Sequence, residues 1–210
     1  MPPLATPTWP AAARACWYAS QAYSDAPADC IVHRDERDVE YAIWDEGDRI
    51  VIAFAGSTIE WRDWARNLFA FPSRYWIHRG ALDCYYTVFN QLQKDVAAYR
   101  KDRPILWVGH SQGGSTAKIA YHFDGSDGDS CITFGAPPAW TRYKKSRIRG
   151  MGKGIHEYRT AWDTVPRLLC VGYGPDTPGI HLPTGRHALR TYASAIAAKI
   201  DTDEPSGISG

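Results

Sequence analysis

The chain contains 210 residues, with 24 Lys and Arg against 23 Asp and Glu, so its formal net charge is +1 at pH 7. Apolar residues make up 44% and aromatic residues 13% of the sequence, which suits one globular domain with a sizeable core and excludes a disordered chain. The balanced charge and the lack of a long basic run argue against nucleic acid as a partner. No uncharged apolar stretch approaches the roughly 18 residues that a transmembrane helix needs.

The first half of the chain contains an alternation of predicted helices and strands. Residues 11–23 have the pattern of a helix, and residues 41–44 and 49–54 have the pattern of two strands joined by a tight turn. Over residues 82–99, apolar side chains recur every three or four positions, which predicts a long amphipathic helix. We therefore expect a hairpin whose second strand enters the core, followed by a helix that packs on the sheet.

The second half continues the same alternation. Residues 105–108 form an apolar run that predicts a buried strand, and residues 113–121 predict the helix that follows it. Further strands are predicted over 131–134 and 155–160, and a last helix over 188–200. Strands that alternate with helices favour a parallel sheet. The predicted fold is an α/β sandwich with a mostly parallel central sheet, antiparallel edge strands and helices on both faces.

The termini and the cysteines set further expectations. Residues 1–18 lack a basic stretch followed by an apolar one, so we expect a cytoplasmic protein, or one that is secreted after removal of a signal peptide or by another export route. Residues 201–210 are polar and contain Gly, Pro and Ser, so we expect a disordered tail after a single domain over 8–200. The five cysteines contain no C-x-x-C pair, which favours buried thiols over zinc ligands or disulfides.

One segment carries a candidate nucleophile. Residues 109–113, Gly-His-Ser-Gln-Gly, fit the pattern G-x-S-x-G and lie between a predicted strand and a predicted helix. A serine on a strained turn from strand to helix needs neighbours without bulky Cβ groups. Such a turn exposes Ser111 above the sheet and directs the first amides of the next helix towards a developing oxyanion. Ser111 is therefore the candidate nucleophile.

A serine hydroxyl needs a base and an acid that orients the base. In this type of fold the three follow in the order Ser, Asp or Glu, His. Asp163 lies three residues after a predicted core strand, at the carboxyl end where sites of parallel sheets collect. Four histidines follow Ser111 in the chain, namely His122, His156, His181 and His187. The residues alone leave the choice among them open.

Six blocks of the sequence resemble the class 3 lipase family of α/β-hydrolases. They are VIAFAGSTIEWRDWARNL (51–68), HRGAL (78–82), VGHSQGG (108–114), TFGAPP (133–138), DTVP (163–166) and HALRTY (187–192). They occur in the order typical of the family, between residues 40 and 195. The resemblance implies a serine carboxylic-ester hydrolase that uses no metal and no organic cofactor.

Position by position, the resemblance implies roles for five residues. Ser111 would be the nucleophile, Asp163 the orienting acid, and His187 the general base. The backbone amide of Gln112 would donate to the oxyanion, and Ser57 would donate through its backbone amide or its hydroxyl, with Thr58 as the alternative to Ser57. Gln112 departs from the family pattern, because leucine is common at that position.

Three more residues are candidates for substrate binding. Only 24 residues separate Asp163 from His187, fewer than in many family members, so His181 lies nearby as an alternative base or a residue that lines the site. Trp61 and Trp64 have helical spacing just after the expected oxyanion segment, where many members carry a lid helix. The alternative is that these tryptophans pack permanently on the core.

The expected substrate is a lipid or a simple acyl ester. Phospholipase A-type and short-chain esterase activities both remain open, and the protein is expected to be a monomer that makes transient contact with a lipid surface. One alternative is a catalytically silent family member that binds lipid or a protein. Another is that the same three residues cleave peptide bonds or transfer an acyl group to a different acceptor.

Overall fold

A computed structural model describes residues 6–24, 30–34, 39–56, 77–147, 153–167, 172–183 and 185–203. Within these ranges, seven strands form one sheet. The strands are β1 (Ile31–Arg34), β2 (Glu40–Asp45), β3 (Ile50–Phe54), β4 (Ile105–His110), β5 (Ser130–Phe134), β6 (Ile155–Thr160) and β7 (Ile180–Leu182). The helices are α1 (Trp9–Gln21), α2 (Arg79–Tyr99), α3 (Gln112–Asp124), α4 (Arg142–Arg147) and α5 (Leu189–Asp203).

The strands lie side by side in the order in which they occur in the chain. β1, β2 and β3 pair antiparallel, and β3 to β7 pair parallel. Connections between parallel strands are nearly always right-handed crossovers. When successive crossovers move in the same direction across the sheet, their helices lie on the same face. Accordingly α2 and α3 cover one face, while α1 and α5, from the two ends of the chain, cover the other. The predicted architecture is confirmed, with both antiparallel pairings at one edge.

The core consists of two apolar layers separated by the sheet. In β4, Ile105 and Trp107 belong to the layer under α2 and α3, whereas Leu106 and Val108 belong to the layer under α1 and α5. This alternation follows from the two-residue period of a strand. All six residues of β4 are buried, as expected for a central parallel strand. None of the described helices is long and apolar enough to cross a membrane.

The observed elements differ from the predicted ones at their ends. α1 begins at Trp9, two residues earlier than predicted, because Thr8 Oγ1 accepts a hydrogen bond from the Ala11 amide and caps the helix. α5 continues to Asp203, three residues into the segment predicted as a tail. β1 and β7 have only four and three residues at the sheet edges, too few for a periodic pattern in the sequence.

The cysteines agree in part with the expectation of buried thiols. Cys16 and Cys131 are buried, and burial raises the pKa of Cys16 to about 12. Such a thiol stays protonated and unreactive at neutral pH. Cys30 and Cys84 are only partly buried, and Cys170 lies outside the described residues.

Candidate active site

The carboxyl ends of three parallel strands carry the predicted nucleophile, acid and base. Ser111 directly follows β4, Asp163 follows β6 by three residues, and His187 follows β7 by five residues. Parallel strands end at the same edge of a sheet, so these three residues reach one place although they are far apart in sequence.

Ser111 lies on a sharp turn between β4 and α3. Its φ of 55° and ψ of −132° lie where residues other than glycine are rarely found. The turn brings backbone against backbone. A Cβ at Gly113 would overlap the carbonyls of Phe54 and Ala55, and one at Gly109 would overlap the carbonyl of Gly113. The two glycines of the motif are therefore required by close packing around a strained serine.

We expect Gly109→Ala to destabilise the protein by about 3 kcal/mol, because the new methyl group would overlap backbone atoms that cannot move independently. Gly80→Ala is the matched control. It lies in the first turn of α2, and its added Cβ would come no closer than 3.4 Å to His78. Thermal or urea unfolding measures both changes. Equal stability of the two variants would contradict the packing argument.

A row of hydrogen bonds joins Ser111, His187 and Asp163. His187 Nε2 lies 2.8 Å from Ser111 Oγ, and His187 Nδ1 lies 2.9 Å from Asp163 Oδ2. A carboxylate can only accept, so Nδ1 carries the imidazole proton. Nε2 then has a lone pair directed at the serine hydroxyl, which donates to it. The Asp163 side chain is fully buried, while that of His187 is 30% exposed.

Two further donors hold Asp163. Its Oδ2 also accepts from the Tyr192 hydroxyl at 2.6 Å, and its Oδ1 accepts from the Val165 amide at 2.9 Å. Burial and the Asp163 charge raise the pKa of Tyr192, so its hydroxyl keeps its proton and donates. A Cβ at Gly135 would meet Asp163 Oδ2 at 2.6 Å, so glycine leaves room for this arrangement. The buried carboxylate thus has three hydrogen-bond donors.

The remaining predicted residues lie in different places. Gln112 begins α3, so its backbone amide belongs to the partly positive end of that helix, and its side chain donates to Cys84 Sγ at 3.2 Å. His181 is exposed on β7, and the hydrogen bonds to Ser111 and Asp163 come from His187 instead. Ser57, Thr58, Trp61 and Trp64 lie outside the described residues.

Sequence reasoning missed two residues next to the site. His110 precedes Ser111, is buried, and packs its ring against that of His187 with 4.8 Å between the centroids. Trp162 precedes Asp163 and is 73% exposed, and its backbone amide donates to the Gly185 carbonyl. The sequence does contain one signal that could have identified both residues, since each directly precedes a residue of the hydrogen-bonded row.

The chain has recognisable similarity to known proteins. It matches the family model for lipase (class 3) over residues 51–172, more than half of its length. No curated protein sequence matches it. Among solved structures, it is similar to the mono- and diacylglycerol lipase of Aspergillus oryzae, with a TM-score of 0.72 and 18% identity over 88% of this chain and 83% of that chain.

Lipase structures from Rhizomucor miehei are also similar. The triacylglyceride lipase gives a TM-score of 0.61 and 21% identity over 81% of this chain and 77% of that chain. The lipase in its propeptide complex gives a TM-score of 0.56 and 23% identity over 74% of this chain. The match spans 61% of the chain in that complex. These structural similarities identify the α/β-hydrolase fold, and by the family match the chain belongs to the class 3 lipase family.

Proposed function

We propose that the protein is a serine carboxylic-ester hydrolase. Ser111 is the nucleophile, His187 the general base and then the general acid, and Asp163 the residue that orients His187. The observation that carries this proposal is the continuous row of hydrogen bonds from Ser111 Oγ through the His187 ring to Asp163, with distances of 2.8 and 2.9 Å. Membership of the family supports a lipid or ester as substrate.

The proton follows the hydrogen bonds during the reaction. Ser111 Oγ attacks the acyl carbonyl while His187 Nε2 takes the serine proton, and Nε2 then donates that proton to the departing alkoxide. A water molecule attacks the acyl-enzyme by the same steps in reverse, which releases the carboxylic acid and restores Ser111. Asp163 accepts from Nδ1 throughout and stabilises the transient imidazolium.

The negative charge that develops on the acyl oxygen needs donors that point to it in advance. The Gln112 amide is one donor in this proposal, because it lies at the N-terminus of α3, where the helix dipole favours negative charge. Ser57 is the second donor in the proposal, on the segment that follows β3. Two such donors account for the acceleration of acyl transfer that a serine and a histidine alone do not supply.

The exposed Trp162 favours substrates with an apolar acyl chain. Trp162 is 73% exposed and directly precedes the buried Asp163 in the chain, just after the carboxyl end of β6. An aromatic ring in this place offers apolar contact area to an acyl group. The family match likewise favours esters over peptide bonds as substrates in this proposal. Phospholipase A-type hydrolysis is the alternative within the same chemistry.

The experiment that tests the proposal measures hydrolysis of p-nitrophenyl esters from acetate to palmitate, with and without a lipid interface. Treatment with a fluorophosphonate, followed by peptide mapping, identifies the labelled residue. We expect turnover and a label on Ser111. A rate that jumps at the interface would indicate a lipase with a lid, and a short-chain preference without a jump would indicate an open esterase. A folded protein with neither turnover nor label would instead support a lipid-binding or protein-binding family member.

A further inference from the structure

His110 connects the nucleophile turn to the segment of the proposed base. It is the last residue of β4, and its ring nitrogen Nε2 lies 2.7 Å from the backbone carbonyl oxygen of His187. Its other nitrogen, Nδ1, lies 2.8 Å from the Tyr23 hydroxyl, just after the end of α1. One buried imidazole thus contacts two elements that are remote from it in sequence.

The partners of His110 determine where its proton lies. A carbonyl oxygen only accepts, so Nε2 must carry the proton and donate to His187. A neutral ring then has a bare Nδ1, which accepts from the Tyr23 hydroxyl. Burial, and next the neighbouring His187, lower the pKa of His110 to about 3, and burial raises the pKa of Tyr23. Both groups therefore keep the protonation states that these hydrogen bonds need.

Tyr23 extends the network to the end of β3. Its hydroxyl packs against the backbone of Gly56, so closely that a Cβ at position 56 would overlap it. Two hydrogen bonds therefore run in one direction, from the Tyr23 hydroxyl to His110 and from His110 to the His187 carbonyl. Hydrogen bonds that run in one direction polarise and strengthen one another. The network joins the ends of β3 and β4 to the proposed base.

His187 is consequently held at two points. Asp163 holds its ring through Nδ1, and His110 holds its backbone through the carbonyl oxygen. Both are needed to fix Nε2, because a ring held only by Asp163 could still pivot with its backbone. Displacement of a reacting group by about 1 Å can lower the rate 100-fold. The ring centroids of His110 and His187 are 4.8 Å apart. Because His110 is neutral, it does not repel His187 when that ring becomes positively charged by accepting the serine proton.

From these contacts we infer that His110 and Tyr23 are positioning residues, which hold the backbone of His187 in register with Ser111 and with the backbone at Gly56. The inference rests on the proposed function for its effect on turnover. The hydrogen-bond network itself can be tested without turnover.

The kinetic test compares kcat and KM for p-nitrophenyl butyrate in four variants. We expect Tyr23→Phe to lower kcat about 10-fold and His110→Leu about 100-fold, with little change in KM, because the substrate still binds but Nε2 is misplaced. His110→Gln should recover most of the loss, since its amide can donate to the His187 carbonyl and accept from Tyr23. The control is Tyr121→Phe, which removes a hydroxyl bonded to the Lys153 carbonyl near the far end of α3.

Three kinetic outcomes would overturn the inference. They are equal kcat values for Tyr23→Phe and Tyr121→Phe, an effect confined to KM, and a His110→Gln variant as slow as His110→Leu. Thermal unfolding of each variant separates these outcomes from loss of the folded state.

The second test needs no activity. Nitrogen-15 NMR of the histidine rings in Ser111→Ala, with His110→Gln used to assign the His110 signal, reports which ring nitrogen carries the proton. We expect His110 to be neutral and protonated on Nε2 at neutral pH. A ring protonated on Nδ1, or on both nitrogens, would refute the network. If wild-type protein lacks turnover while this signature is present, the proposed function fails and the network stands.

Discussion

Ser111→Ala is expected to lower kcat for ester hydrolysis by about 10⁶-fold, the largest effect of any single substitution in this protein. The reason is that Ser111 Oγ would form the covalent bond to the acyl group, and alanine offers no atom for that bond. Residual hydrolysis would come from the oxyanion donors and substrate binding alone. The measurement is turnover of p-nitrophenyl butyrate together with fluorophosphonate labelling. Persistent turnover in this variant would mean that another residue is the nucleophile.

His187→Ala should be nearly as inactive as Ser111→Ala, because residues that act as a unit lose their effect together. The matched control is His181→Ala. His181 is six residues earlier and is exposed on β7, whereas His187 Nε2 lies 2.8 Å from Ser111 Oγ. We expect the His181 variant to retain wild-type kcat. If His181→Ala were the inactive variant and His187→Ala the active one, the base would have been assigned to the wrong histidine.

The largest expected effect on stability comes from Lys118. This side chain is fully buried on α3, with its Nζ 2.7 Å from Glu157 and 2.6 Å from Asp176. Burial by itself would lower the pKa of Lys118, but the two adjacent carboxylates outweigh burial and raise it. The ammonium group also donates to the Pro137 carbonyl at 2.8 Å. A buried cation with these partners is charged and fully hydrogen-bonded.

We therefore expect Lys118→Met to lower the free energy of unfolding by about 3–5 kcal/mol. Methionine fills a similar volume, but it leaves Glu157 and Asp176 buried without the cation that joins them, while Arg159 still forms an ion pair with Glu157. Lys94→Met on the exposed face of α2 is the control, with an expected change within about 0.5 kcal/mol. Urea unfolding measures both. Indistinguishable midpoints would mean that the buried ion pairs contribute nothing to stability.

The buried ion pairs of Lys118 also support the loop beside the proposed active site. Asp176 accepts hydrogen bonds from the backbone amides of Ala139 at 2.6 Å and Trp140 at 3.4 Å, in the segment that follows β5. That segment continues from Gly135, which packs against Asp163 and Tyr192. Loss of Lys118 should therefore disturb the loop beside the acid as well as lower stability.

Local patterns of apolar residues predicted many of the helices and strands. The apolar run that starts at Ile105 predicted β4, and the three-to-four-residue spacing from Leu82 to Tyr99 predicted most of α2. Element ends were less accurate, because caps such as Thr8 are single side-chain contacts. The edge strands β1 and β7 were not predicted, since three or four residues acquire strand geometry from their neighbours in the sheet rather than from their own pattern.

The sequence by itself determined the mostly parallel sheet, the strained turn at Ser111 and the family resemblance, because each depends on residues close together in the chain. The family resemblance pointed to His187, but only the tertiary structure brings its ring to Ser111, since the two residues are 76 positions apart. The tertiary structure also decided that Tyr23, His110 and Lys118 have buried polar partners. Contacts of this kind depend on where strands and helices pack against one another, and no spacing along the chain encodes them.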